Sequence, residues 1–188
     1  MNLANKISVV RMFLVPVYIV LLLFPEGNRT FLSYEGIMVI ATIVFVVASL
    51  TDALDGYVAR KYNLISNFGK FFDPLVDKLL TCSAFIALVS LDRLPAWAAI
   101  IIVSREIIIS GLRALAAEAG VVIAADKLGK LKTIIQMVCI TFLTLLPIFY
   151  FQPMVPAMTG LLVLITVIIT VSSGLDYLIK NRSLLNDF

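Results

Sequence analysis

"TIIQMVCITFLTLLPIFYFQPMVPAMTGLLVLITVIITVSSGL", residues 133–175, contains no charged side chain. A membrane-spanning helix needs about 20 mainly apolar residues, so this run holds two spans, with a turn near Pro153 and Pro156. The rest of the chain agrees. Of its 188 residues 61% are hydrophobic and 14% charged, well beyond the roughly half apolar usage of soluble domains. Apolar length and chain breakers place six spans at residues 5–24, 34–60, 69–91, 95–118, 129–150 and 156–180. They are separated by PEGNRT, KYNLISNF, DRLP, AGVVIAADKLG and QPMVP, which carry the turn and charge signals of short loops. The expected fold is an all-α polytopic membrane protein with six transmembrane helices, a single domain over residues 1–188.

With the N-terminus in the cytoplasm, only Arg29 and Arg93 of the 15 Lys and Arg residues lie at outer helix ends. The positive-inside rule therefore predicts that both termini are cytoplasmic. The opening MNLANKISVVRMF has the basic start and apolar continuation of a signal peptide but lacks a small-residue cleavage site, and is read as mature sequence. Cys82 and Cys139 lie in apolar segments without CxxC spacing, which indicates neither a disulfide framework nor a zinc site. Histidine is absent. Proton transfer and metal binding must then rely mainly on carboxylates.

Against this background "SLTDALDGYVARKYNLISNFGKFFDPLVDKLL", residues 49–80, holds Asp52, Asp55, Asp73 and Asp77. On a helix over 34–60, Asp52, Asp55, Gly56 and Ala59 share one face, and on the next helix Gly69, Asp73 and Asp77 follow at four-residue steps. The connection between them is short, so the helices are antiparallel neighbours. Asp52 lies roughly 12 Å of helix before Arg60 and Asp77 roughly 12 Å after Gly69, which matches the carboxylates in depth. Four clustered acids at the edge of a bilayer are unfavourable unless cations compensate. An all-oxygen donor set without His points to a hard cation, Mg²⁺ or Mn²⁺. Two such ions about 4 Å apart clamp the attacking and leaving oxygens of a phosphoryl displacement. Gly56, Ala59 and Gly69 have no bulk, which lets a nucleotide or a neighbouring backbone approach. The other readings of the cluster are a cation channel or transporter path, a proton relay, and structural pairing with Arg60, Lys70 and Lys78.

Written as a pattern, Asp52 to Asp77 is DxxDGxxAR, eight residues, then GxxxDxxxD. This resembles the signature of the CDP-alcohol phosphotransferase family, with every fixed position present, and the six-span architecture is also that family's. The resemblance implies an enzyme that transfers a phosphatidyl or similar group from a CDP-linked donor to an alcohol, releasing CMP and using Mg²⁺ or Mn²⁺. It implies Asp52, Asp55 and Asp73 as metal ligands, with Asp77 a metal neighbour and the general base. Gly56, Ala59, Arg60 and Gly69 would shape the CDP site, with Asn5 and Ser8 bordering it. A homodimer in a bacterial cell membrane, with its active site facing the cytoplasm, is implied too. No nucleic-acid partner is expected.

Three further stretches, "NKISVVR" (5–11), "SREIIISGLR" (104–113) and "DKLGKLKTIIQM" (126–137), are similar to the bacterial branch of the family whose acceptor is sn-glycerol 3-phosphate and whose donor is CDP-diacylglycerol. A phosphorylated acceptor needs a cationic pocket, and Arg105, Arg113, Lys130 and Lys132 are the candidates. Arg105 falls about 15 Å from the outer end of its helix, where an unpaired cation is costly, so it should face a cavity or a carboxylate. Lys127, Lys130 and Lys132 also fit ordinary positive-inside anchoring, Glu106 fits a structural partner for an arginine of a neighbouring helix, and Asn5, Ser8 and Arg11 fit capping and anchoring. The tyrosines and Trp97 read as interface anchors and packing groups. Inositol phosphate, serine and phosphatidylglycerol remain alternative acceptors.

Overall fold

The computed structural model describes the backbone of residues 3–24, 33–61, 67–118, 127–149 and 152–182, and the side chains among these apart from 3–9, 52–77, 117–118 and 127. The described residues form six helices and no strand: α1 (Leu3–Leu22), α2 (Tyr34–Lys61), α3 (Asn67–Ser90), α4 (Ala96–Glu118), α5 (Lys127–Phe149) and α6 (Val155–Lys180). Each boundary lies within two residues of the one read from the sequence.

Tyr34–Thr51, Leu128–Phe149 and Val155–Lys180 are long and apolar enough to cross a membrane by length and composition. Shorter apolar stretches occupy Val10–Leu22 and Lys78–Ser90, whereas α4 interrupts its apolar run with Arg105, Glu106 and Arg113. The 28 residues of α2 give about 42 Å of helix, more than the roughly 30 Å of a bilayer's hydrocarbon.

Residue placement on α6 is that of a helix turned inside out. Leu161, Leu164, Ile168, Leu175 and Ile179 are exposed, while Thr166, Thr170, Ser173, Gly174 and Tyr177 are buried. In water such an apolar face is rare without a partner; in lipid it is the solvated face. The hydroxyls carried by these helices need an acceptor there. Thr42, Thr144, Thr159 and Thr166 donate to carbonyls one turn earlier, at 2.7–2.9 Å, the local bond open to a helical Ser or Thr.

The chain divides into two compact units. The first comprises Met1–Arg93 and Ile140–Gln152; in it α1 packs on α2 and α3, and α2 meets α3. Its core includes Val15, Tyr18, Leu22, Met38, Phe45, Phe85 and Leu88, with the Tyr18 and Phe45 rings 5.3 Å apart. The second comprises Leu94–Cys139 and Pro153–Phe188, with α4 packed on α6.

Helix ends in the first unit follow their sequence. Ser33 caps α2 by accepting from the Gly36 amide at 3.2 Å. At the end of α3 the Asp92 amide donates to the Val89 carbonyl and the Arg93 amide to the Leu88 carbonyl, a Schellman closure whose left-handed position is Asp92 at φ 56°. That closure puts Arg93 at a defined place. Pro147 has no amide hydrogen, so the Leu143 carbonyl one turn earlier loses its helical donor. Arg93 Nη1 donates to the Leu143 and Thr144 carbonyls at 3.4 and 3.1 Å, and its Nη2 donates to Tyr34 Oη at 2.6 Å. The guanidinium therefore satisfies backbone that the proline left open.

Arg93→Met keeps the length and removes these donors. Thermal unfolding in detergent should show a loss of about 1–2 kcal/mol, the scale of hydrogen bonds from a charged group tempered by the membrane setting. An unchanged transition would refute this role for Arg93.

Candidate functional site

The four aspartates lie on the two helices where the sequence placed them. α2 carries Asp52, Asp55, Gly56, Ala59 and Arg60, and α3 carries Gly69, Asp73 and Asp77, with α3 continuing through Pro74. Both helices belong to the first unit, where they are in contact. The side chains of these residues, and of Asn5 and Ser8 on α1, lie outside the described residues. The donor set itself fits a divalent cation: four carboxylates in a chain without histidine favour hard, oxygen-seeking metals. Arg11, one turn beyond Ser8 on α1, is fully buried.

The second unit contains a polar cluster built from α4, α5 and α6. Glu106 of α4 is 2% exposed and forms a salt bridge with Lys132 of α5, itself buried. Arg105 Nη1 lies 3.4 Å from the same Glu106 Oε1, and Gln136 Nε2 donates to Glu106 Oε1 at 3.5 Å and to Thr170 Oγ1 of α6 at 3.2 Å. Arg105 Nη2 donates to Ser173 Oγ at 3.0 Å. Deleting one member of a buried ion pair typically costs about 3–5 kcal/mol because the other is left uncompensated. Such a cluster is fixed in place by that penalty.

Arg113, two turns along α4 from Arg105, is exposed, with its guanidinium 5.5 Å from the centre of the Tyr177 ring. Lys130 is exposed and Lys132 buried. Two residues along a helix turn a side chain through about 200°, so these lysines point to different faces. Of the four candidate acceptor cations, then, Arg105 and Lys132 are brought together on Glu106, Arg113 stands beside Tyr177, and Lys130 lies on the opposite face of α5 from Lys132. Glu106 is the hub of the cluster. It takes a lysine from the neighbouring helix α5 and the adjacent arginine of its own helix.

Sequence reasoning missed Gln136, Thr170, Ser173, Gly174 and Tyr177. A signal for three of them existed: Thr166, Thr170, Ser173 and Tyr177 follow at steps of four, three and four, the spacing of one helical face. All four are buried. Arg105 and Lys132 share the Glu106 carboxylate, and Arg113 stands over the Tyr177 ring, so three cations accompany one carboxylate in this cluster among the described residues. Fork-shaped guanidinium groups suit phosphate in particular.

Comparison with known proteins agrees with the pattern on α2 and α3. Residues 1–172 match the family model described as CDP-alcohol phosphatidyltransferase. The chain is 44% identical over 186 residues, 96% of its length and 95% of the relative's, to a Bacillus subtilis protein named CDP-diacylglycerol–glycerol-3-phosphate 3-phosphatidyltransferase. A Rickettsia typhi protein of the same name is 40% identical over 144 residues, covering 77% of this chain and 76% of its own. A Mycobacterium tuberculosis protein named probable phosphatidylglycerophosphate synthase is 36% identical over 179 residues, covering 95% and 81%. With the signature intact from Asp52 to Asp77 and the match running through nearly the whole sequence, the chain belongs to the CDP-alcohol phosphatidyltransferase family.

Proposed function

We propose that the protein transfers the phosphatidyl group of CDP-diacylglycerol to sn-glycerol 3-phosphate, giving phosphatidylglycerophosphate and CMP. One observation carries this reading: DxxDGxxAR and GxxxDxxxD stand intact on α2 and α3 in a chain 44% identical, over 96% of its length, to an enzyme named for that reaction.

In the proposed reaction a free hydroxyl of the acceptor attacks the phosphatidyl phosphorus, the pyrophosphate P–O bond breaks, and CMP leaves with the bonding electrons. Asp77 accepts the hydroxyl proton, a role that falls to a carboxylate in a chain without histidine. Asp52, Asp55 and Asp73, with Asp77 beside them, are the residues to hold two Mg²⁺ or Mn²⁺ ions, which when bound neutralise charge on the pyrophosphate. Gly56, Ala59, Arg60 and Gly69, bordered by Asn5 and Ser8, are assigned to the CDP group. Arg105 and Arg113, supported by Lys130 and Lys132, are assigned to the acceptor phosphate. The buried salt bridge of Lys132 with Glu106 suits a supporting part. It holds the carboxylate against which Arg105 also leans.

The same reading extends to the membrane. All six helices span the bilayer, both termini lie in the cytoplasm, and the single domain works as a homodimer in the cytoplasmic membrane of a bacterium with its site open to the cytoplasm. The charged interruption of α4 is supported by this arrangement, because ionisable groups within spans face protein or a polar cavity rather than lipid. A lipid donor enters sideways while its nucleotide reaches the aqueous side.

The direct test supplies purified enzyme and labelled CDP-diacylglycerol with glycerol 3-phosphate, inositol phosphate, serine or phosphatidylglycerol in turn. Lipid product and stoichiometric CMP are expected with glycerol 3-phosphate; turnover with another alcohol alone would overturn the acceptor assignment. Asp77→Asn should lower kcat by about 10²–10⁴, the usual contribution of a positioned general base, with little change in donor binding. Near-normal turnover of that variant would remove Asp77 from the base role.

A further inference from the structure

Two buried hydrogen-bond donors in the second unit have no acceptor among the described residues: the Tyr177 hydroxyl and Arg105 Nε. Tyr177 is 6% exposed, and a buried hydroxyl left unpaired costs about 1–3 kcal/mol. Such groups ask for a reason. The remaining nitrogens of Arg105 are occupied, Nη2 by Ser173 and Nη1 by Glu106.

The arm of Arg105 is seated with some precision. A Cβ built on Gly174 would stand 3.1 Å from Arg105 Cγ and 3.6 Å from its Nε, so the side chain runs against the α6 backbone where glycine leaves room. Ser173 and Tyr177 lie one helical turn apart on either side of that seat. The Arg113 guanidinium stands 5.5 Å from the Tyr177 ring centre. Two unfilled donors thus accompany two guanidinium groups, a combination whose chemistry suits an anionic ligand.

We infer that Tyr177 is an acceptor-binding residue whose hydroxyl, together with Arg105 Nε, donates to the phosphate of the acceptor alcohol. The inference rests on the assignment of this cluster to the acceptor and deepens it. Ser173 and Gly174 act through Arg105 as positioning residues. An acceptor without phosphate leaves both donors buried and unpaired, which makes Tyr177 a specificity residue as well as a binding one.

Tyr177→Phe keeps the ring beside Arg113 and removes the oxygen. With purified enzyme in mixed micelles, the apparent KM for glycerol 3-phosphate should rise about tenfold or more, the scale of one hydrogen bond to a charged group. The kcat and the KM for CDP-diacylglycerol should stay within about twofold. A second readout needs no turnover. Without substrate the Tm of the variant should equal or exceed that of the parent, because an unpaired hydroxyl is gone, while the Tm gain on adding glycerol 3-phosphate should shrink. Arg113→Ala measured alongside separates the possible failures. A raised KM in Arg113→Ala with parental KM and ligand-induced Tm gain in Tyr177→Phe leaves the acceptor site standing and removes Tyr177 from it. A lower Tm together with an equal loss of turnover for both substrates would make Tyr177 structural, which also overturns the inference. A parent enzyme that does not use glycerol 3-phosphate removes both.

Discussion

A charge or an open backbone group on an apolar helix has to be met by protein, because lipid offers no hydrogen bonds. Each polar feature described above follows from that constraint. Pro147 opens a carbonyl in α5, and Arg93, fixed by the turn after α3, closes it. Glu106 is carried into the middle of α4 and is met by Lys132, Arg105 and Gln136. The exposed faces are correspondingly apolar. On α6 what packs inside is more polar than what faces out, the reverse of a helix in a water-soluble bundle.

The same constraint shapes the chemistry. Phosphoryl transfer between a lipid-linked nucleotide and a water-soluble alcohol needs metals, a base and a phosphate site, all of them charged. In this chain the four aspartates of the family signature sit on α2 and α3, and the cations proposed for the acceptor phosphate on α4 and α5. A carboxylate close to the cations appears where it holds them in place, in Glu106.

Much of the fold was legible because membrane helices announce themselves by length and end at Pro, Gly and charge. The run from Thr133 to Leu175 turned where Pro153 and Pro156 said it would, between Phe149 and Val155. The reaction class was legible as well, since the spacing of Asp52, Asp55, Asp73 and Asp77 is a helical pattern and belongs to a family signature. Partners were harder to see. Lys130 and Lys132 look alike as anchoring residues, and only the face that α5 turns inward distinguishes the exposed one from the buried one. Tyr177 resembled an interface tyrosine, and its buried hydroxyl depends on how α6 packs on α4. Arg93 read as a loop cation, although Pro147 already marked Leu143 as a carbonyl in need of a donor.

The aspartates of α2 and α3, and not the cationic cluster, are proposed to hold the metals of the reaction. Mn²⁺ titration of the purified protein followed by electron paramagnetic resonance tests this without turnover. Two tight Mn²⁺ sites per chain are expected, reduced in Asp52→Asn and in Asp73→Asn and preserved in Arg113→Ala. Mn²⁺ binding that survives loss of both aspartates would contradict the claim.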